Sequence, residues 1–320
     1  MERILIIGAN GQIGSELVEA LARQHGADNV IASDISPTNV YDAKRYERID
    51  VMDKAGLADF IAAENITQVY QLAALLSATG EKMPLKAWDL NMDGLLNILE
   101  IARERGEAGK PLRIFWPSSI AAFGPNTPST NTPQYTVMDP TTIYGISKLA
   151  GERLCEYYFT KYGVDVRSIR YPGIISFKSP PGGGTTDYAI AIFHAALRGE
   201  RYDCFLGPET TLPMIYMPDA IRATIELMDA PADSIKIRSS YNVAGVSFNP
   251  RELAAAIQEQ RPDFQIAYTP DSRQAIADTW PKSLDDSAAR EHWGWQARIG
   301  VDEMVTDMLA NIDVSITEAA

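Results

Sequence analysis

The first fourteen residues, MERILIIGANGQIG, constrain the fold more than any other stretch of the chain. Ile4 to Ile7 form an unbroken apolar run, the pattern of a strand covered on both faces in a parallel sheet. Gly8, Gly11 and Gly14 follow at once, and apolar residues then recur at helical spacing at Ile13, Leu17 and Leu21. Strand, glycine turn and helix in that order put backbone amides and the positive end of a helix dipole where a pyrophosphate can be held. The spacing is Gly-x-x-Gly-x-x-Gly, not the more usual Gly-x-Gly-x-x-Gly of dinucleotide sites. Gly8 permits the tight turn, Gly11 the approach of the pyrophosphate, and Gly14 close packing of helix on sheet. A second apolar run, Val30 to Ser33, ends at Asp34. A carboxylate there can hold both adenosine ribose hydroxyls and repels a 2′-phosphate, and no arginine or lysine follows until Lys44. NAD is therefore expected over NADP.

The alternation continues. Strands are expected near 2–7, 29–34, 46–49, 67–71, 112–116 and 165–171, separated by helices near 12–24, 54–63, 84–106 and 141–162. That order predicts the α/β class, with a Rossmann-type doubly wound parallel sheet. A chain of 320 residues, 46% hydrophobic, can bury a large core. Its net charge of −13, spread along the chain, excludes a basic face for nucleic acid or an anionic membrane. No apolar run approaches membrane-spanning length, and a strand beginning by residue 4 leaves no room for a signal peptide. Cys155 and Cys204 make no disulfide framework, so a cytoplasmic location is expected. These two and the scattered His25, His194 and His292 offer no ligand cluster, so no metal is expected and any catalytic base should be organic.

Tyr144 and Lys148, in TIYGISKLAGE, are the candidates for that base. Four apart on a helix, they leave the same face one turn apart. A lysine ammonium there stabilises a phenolate and lowers the tyrosine pKa, as a general base for an alcohol proton requires. The pair alone also occurs on ordinary amphipathic helices; its meaning comes from the glycine turn upstream. Further along, Tyr171 runs into Pro172-Gly173-Ile174, a strand end with unpaired backbone groups suited to a nicotinamide carboxamide. The segment SPPGGGTTDYA then places three glycines before Thr185, Thr186 and Asp187, a capping signal for the next helix. This segment reads either as a linker or as a clamp, in which Gly184 amide and the Thr185 and Thr186 hydroxyls hold a carboxylate at a helix N-terminus.

Taken together, these residues resemble the extended short-chain dehydrogenase/reductase family over essentially the whole chain. The family's upstream hydroxyl matches Ser119 in FWPSSIAAFG, with Ser118 as the neighbouring candidate. The resemblance assigns Asp50 and Val51 to the adenine and Leu72, Ala73 and Ala74 to the pyrophosphate side. It adds Asn10, Gln12 and Ile13 to the cofactor contacts and gives Asn91 support of the tyrosine–lysine network. YPGII, GGGTTDYA, LPMIYMPDAIRATIELMDAP and IADTWPKSLDDSAAREHWGW are similar to a metal-free, threonine-oxidising subgroup of the family. That similarity implies L-threonine as substrate, 2-amino-3-oxobutanoate as product, and a pocket including Ser77 and Trp280, where a packed core tryptophan is the alternative. It also implies a homodimer, a cofactor domain of residues 1–172 plus 213–244, and a smaller α/β substrate domain of 173–212 plus 245–320. Within the former, Met214 to Met217 is expected to return to the cofactor domain as a strand. A sugar-nucleotide epimerase or dehydratase on the same scaffold and a non-catalytic NAD-sensing regulator remain alternatives.

Overall fold

The computed structural model describes residues 2–314 except Pro180 and Gly183. The first half of the chain alternates strand and helix: β1 (Ile4–Ile7), α1 (Gln12–His25), β2 (Val30–Asp34), β3 (Tyr46–Arg48), α2 (Lys54–Ala63) and β4 (Gln68–Gln71). Then come α3 (Ser77–Lys82), α4 (Pro84–Glu107), β5 (Arg113–Ser119), α5 (Ile143–Tyr162), β6 (Val166–Tyr171) and β7 (Gly173–Ile175). The second half carries α6 (Tyr188–Arg198), β8 (Tyr202–Cys204), β9 (Leu212–Tyr216), α7 (Met217–Asp229), β10 (Tyr241–Asn242) and β11 (Val246–Phe248). It closes with α8 (Pro250–Gln260), β12 (Ile266–Tyr268), α9 (Ser272–Ala277), α10 (Ser287–Trp293) and α11 (Val301–Asn311).

Seven strands form one parallel sheet in the order β10-β6-β5-β4-β1-β2-β3. Every residue of β1 is buried, as a central parallel strand requires. Buried side chains of α1 and α7 cover one face with Leu17, Leu21, Ala220 and Leu227. On the other face lie Leu57 and Ile61 of α2, Leu95, Ile98 and Leu99 of α4, and Cys155 and Tyr158 of α5. The sheet is doubly wound, and its direction of growth reverses between β1 and β4. That crevice, at the carboxyl ends of the strands, is where such sheets bind ligands.

Two departures from the sequence reading have clear causes. Strand β5 runs past Trp116 through Pro117 to Ser119. A proline is tolerated there because β4 pairs with β5 only as far as Phe115, while β6 continues alongside to Ser119. The strand expected at Met214 to Met217 forms as β9, but it pairs with β7 and β11 in a separate three-stranded sheet. The main sheet is completed instead by the two-residue β10, paired with β6. A second core, built from α6, α8, α11 and β9 with residues such as Phe193, Met214, Leu253 and Met308, lies beneath that smaller sheet.

Candidate active site

The glycine turn is built as its spacing predicts. Gly8 has φ +84°, and a Cβ there would stand 2.7 Å from the amide nitrogen of Ala73. A Cβ on Gly14 would lie 2.3 Å from the Gly8 carbonyl oxygen, so any side chain would push α1 off the turn. Helix α1 starts after Gly11 with no side-chain cap and no acidic residue in its first turn. Its first amides are thus left for an external anion. Asp34 closes β2 beside this turn and accepts from the Asn10 amide at 3.2 Å and the Ser36 amide at 3.2 Å.

Helix α5 brings the reacting side chains to the same crevice. Thr142 caps it, accepting from the Gly145 amide at 3.1 Å, which fixes the first turn where Tyr144 sits. Tyr144 and Lys148 share one face, with the Lys148 ammonium 5.4 Å from the centre of the Tyr144 ring. Lys148 is buried, donates to the Pro117 carbonyl at 2.6 Å and lies 4.5 Å from the centre of the Trp116 ring. Burial pushes the Tyr144 phenol up to about 12, opposed by a hydrogen bond with Ser119. Burial likewise pushes Lys148 down to about 7. For the tyrosine the only opposing cause is Ser119, so the lowering expected from Lys148 is not found in the free protein.

A single cavity joins the two halves. Gly8, Gly11, Gln12, Ile13, Gly14, Leu72 and Ala74 line its inner end. Ser77, Ser118, Ser119, Tyr144, Lys148, Tyr171, Gly173, Ile174, Gly184, Thr185, Thr186 and Trp280 line the rest. Asn10, Asp34, Asp50, Val51, Ala73 and Asn91 are not on its wall. Asn10 binds the Thr38 carbonyl at 2.9 Å and the Tyr46 hydroxyl at 3.1 Å with its side-chain amide. Val51 is buried under α4, its carbonyl accepting from Asn97 at 2.9 Å. Asp50 caps its own turn at the Met52 amide, at 2.9 Å. Asn91 clasps the Leu75 backbone at 2.9 and 3.1 Å and reaches Ser147 at 3.3 Å, tying the loop after β4 to α5.

The chain matches the model of the NAD dependent epimerase/dehydratase family over residues 4–244. The chain belongs to that family. It is 46% identical over 311 residues to the mitochondrial L-threonine 3-dehydrogenase of Bos taurus, covering 96% of this chain and 82% of the relative. A solved L-threonine dehydrogenase from Cupriavidus necator, in its holo form, is 62% identical and superposes with a TM-score of 0.94 over 97% of this chain and 99% of that one. The UDP-glucose 4-epimerase of Thermotoga maritima, bound to UDP-glucose, shares the fold with a TM-score of 0.83 at 23% identity, covering 97% of this chain and 98% of that one. As a member of the epimerase/dehydratase family the protein takes NAD, and the glycine turn fits it: two positions exclude a Cβ and the amides of α1 stand uncapped.

Other features of this epimerase/dehydratase site were not legible in the sequence. Asp187 is the N-cap of α6 but makes no capping hydrogen bond; its carboxylate turns back to accept from the Gly182 amide at 2.6 Å and the Gly184 amide at 2.7 Å. The Gly184 amide is thus already taken, against the part in a carboxylate clamp expected of it. Gly183 lies outside the described residues. Thr185 Oγ1 is buried on the cavity wall with no hydrogen-bond partner among the described residues. Asp187 itself lines the cavity, and Leu76 and Ile120 add apolar wall. Trp280 both lines the cavity and packs in the second core. Among the described residues no three His, Cys, Asp or Glu side chains gather as a metal site, and no helix is long and apolar enough to cross a membrane.

Proposed function

We propose that the protein oxidises the β-hydroxyl of L-threonine to 2-amino-3-oxobutanoate, with Tyr144 as base, Lys148 as its cationic partner and Ser119 as the donor that fixes the substrate oxygen. The observation that carries the reading is one cavity, beside the glycine turn, lined by Tyr144, Lys148 and Ser119 together with Thr185, whose hydroxyl has no hydrogen-bond partner among the described residues. Similarity to the Bos taurus and Cupriavidus necator threonine dehydrogenases supports the substrate. Bound NAD supplies the hydride acceptor and a positive ring. Tyr144 takes the hydroxyl proton, and its phenolate is favoured by Lys148 and that ring together. Thr185 Oγ1 and Thr186 hold the substrate carboxylate, Asp187 faces the ammonium, and Ser77, Gly184 and Trp280 shape the wall. Asp34 takes the adenosine ribose, and Gln12, Ile13, Leu72, Ala74, Tyr171, Gly173 and Ile174 the inner cofactor contacts. Asp50 and Val51 lie on the adenine side, while Asn10, Ala73 and Asn91 act by holding the loops in place.

Two lobes follow from this reading. The expected cofactor domain of 1–172 plus 213–244 is narrowed to 1–172 with 217–244, because β9 pairs in the smaller sheet, which with α6, α8, α9 and α11 forms the substrate lobe. A homodimer is supported by exposed apolar side chains on neighbouring helices: Leu85 and Trp88 of α4 with Ile146, Tyr157 and Tyr162 of α5. Two free, buried cysteines suit a cytoplasmic setting. Tyr144→Phe tests the mechanism: NAD binding should persist while turnover falls roughly a hundredfold or more. Substantial turnover in that variant would assign the base elsewhere.

A further inference from the structure

Beneath the Tyr144–Lys148 pair lies a buried charge cluster that the scheme above does not use. Glu152, one turn beyond Lys148 on α5, has a side chain 0% exposed, and Arg170 of β6 is 2% exposed. Arg170 grips it twice, Nε to Oε1 at 2.8 Å and Nη2 to Oε2 at 2.8 Å. Its remaining nitrogen Nη1 donates to the Gln134 carbonyl and to Asn242 Oδ1, each at 2.9 Å. Glu152 Oε1 also accepts from Ser118 Oγ at 2.7 Å. A buried ion pair is a weak source of stability compared with apolar side chains of similar volume, so this one calls for another role. Its two neighbours suggest which. Ser118 immediately precedes Ser119, and Lys148 is one turn back on the same helix.

We propose that Glu152, clamped by Arg170, is a positioning residue for the oxidation: it pins the end of β5 through Ser118 so that Ser119 faces Tyr144, and its charge offsets that of Arg170, which would otherwise stand as an uncompensated cation behind Lys148. The proposal rests on the reading of Tyr144 and Lys148 as base and cation. The titratable and charged groups facing Glu152 are Lys148, Cys155 and the exposed Arg153 from α5 and Arg170 from β6. Burial pushes the Cys155 thiol up, so it is neutral. Burial also pushes Lys148 down, opposed first by the neighbouring Cys155 and then by Glu152. The buried cluster thus holds two cations and one anion, leaving one positive charge for one phenolate.

The test is the pH profile of kcat/KM for L-threonine at saturating NAD, with the melting temperature measured beside it. Glu152→Gln keeps an acceptor for Ser118 but removes the charge. Its acid limb should move to lower pH by about one unit, because the proton affinity of the pair falls. Its plateau should drop about tenfold, because the uncompensated Arg170 leaves a still smaller share of the singly protonated pair with its proton on Lys148. Glu152→Gln with Arg170→Met restores the net charge and should return the limb to its original position. A lowered melting temperature with an unmoved limb in Glu152→Gln would make the cluster purely structural and overturn the proposal. A limb still displaced in the double variant would overturn its electrostatic basis. Tyr144→Phe separates the failures: activity retained there removes the base assignment and this proposal with it, whereas an unmoved limb in Glu152→Gln leaves that assignment intact.

Discussion

Tyr144 in the free protein is a neutral phenol. Helical spacing showed that Tyr144 and Lys148 share a face, and the structure places them so. What spacing could not show is how much water the surrounding lobes displace, or that the Lys148 ammonium would be aimed at the Pro117 carbonyl. With the phenol pushed up to about 12 and Lys148 down to about 7, the lysine is losing its charge across the neutral range where the tyrosine needs it. A positive ring beside the phenol favours its anion, so bound NAD should lower the ionisation by roughly two units or more. Ultraviolet titration of phenolate, taken as the difference between the unmodified protein and Tyr144→Phe, checks this. No signal from Tyr144 should appear up to about pH 10 without NAD, and with it the midpoint should fall to about pH 10 or below. Ionisation near 10 in the free protein would contradict the desolvation argument.

Elements divide by how local their causes are. The glycine turn was legible because both of its constraints, the positive φ of Gly8 and the contact of Gly14 with Gly8, arise within a few residues. The loop before α6 was only half legible. Its glycines and hydroxyls were visible, but not that Asp187 would fold back onto the Gly182 and Gly184 amides, which is a contact across the loop. Strand β9 was found nearly in place, yet its sheet was not, because strand partners are set by long-range packing. The structure also sharpens the meaning of Thr185 and Thr186. Since neither caps α6, truncating both (Thr185→Ala with Thr186→Ala) should leave the melting temperature nearly unchanged. Each hydrogen bond to a charged group is worth about 1.5–3 kcal/mol, so KM for threonine should rise more than about tenfold with NAD affinity preserved. A loss of stability without a selective rise in KM would make the loop a linker.

At the scale of the molecule, the doubly wound sheet followed directly from the alternation of strands and helices, whereas the exposed apolar patch on α4 and α5 did not show in the sequence. Leu85 is 80% exposed at the start of α4, with Trp88 on the same helix and Ile146 exposed on the neighbouring α5, and the proposed dimer would cover them. Light scattering should therefore give the mass of a dimer, and Leu85→Glu should shift it toward the monomer; a monomer at all concentrations would remove the interface. The central claim, that this family member acts on a free amino acid, is tested most directly by NADH formation against a panel of L-threonine, L-serine, L-allo-threonine and UDP-glucose. The account predicts NADH with L-threonine far above the others and no effect of chelators. A response to the sugar nucleotide without one to threonine would contradict it.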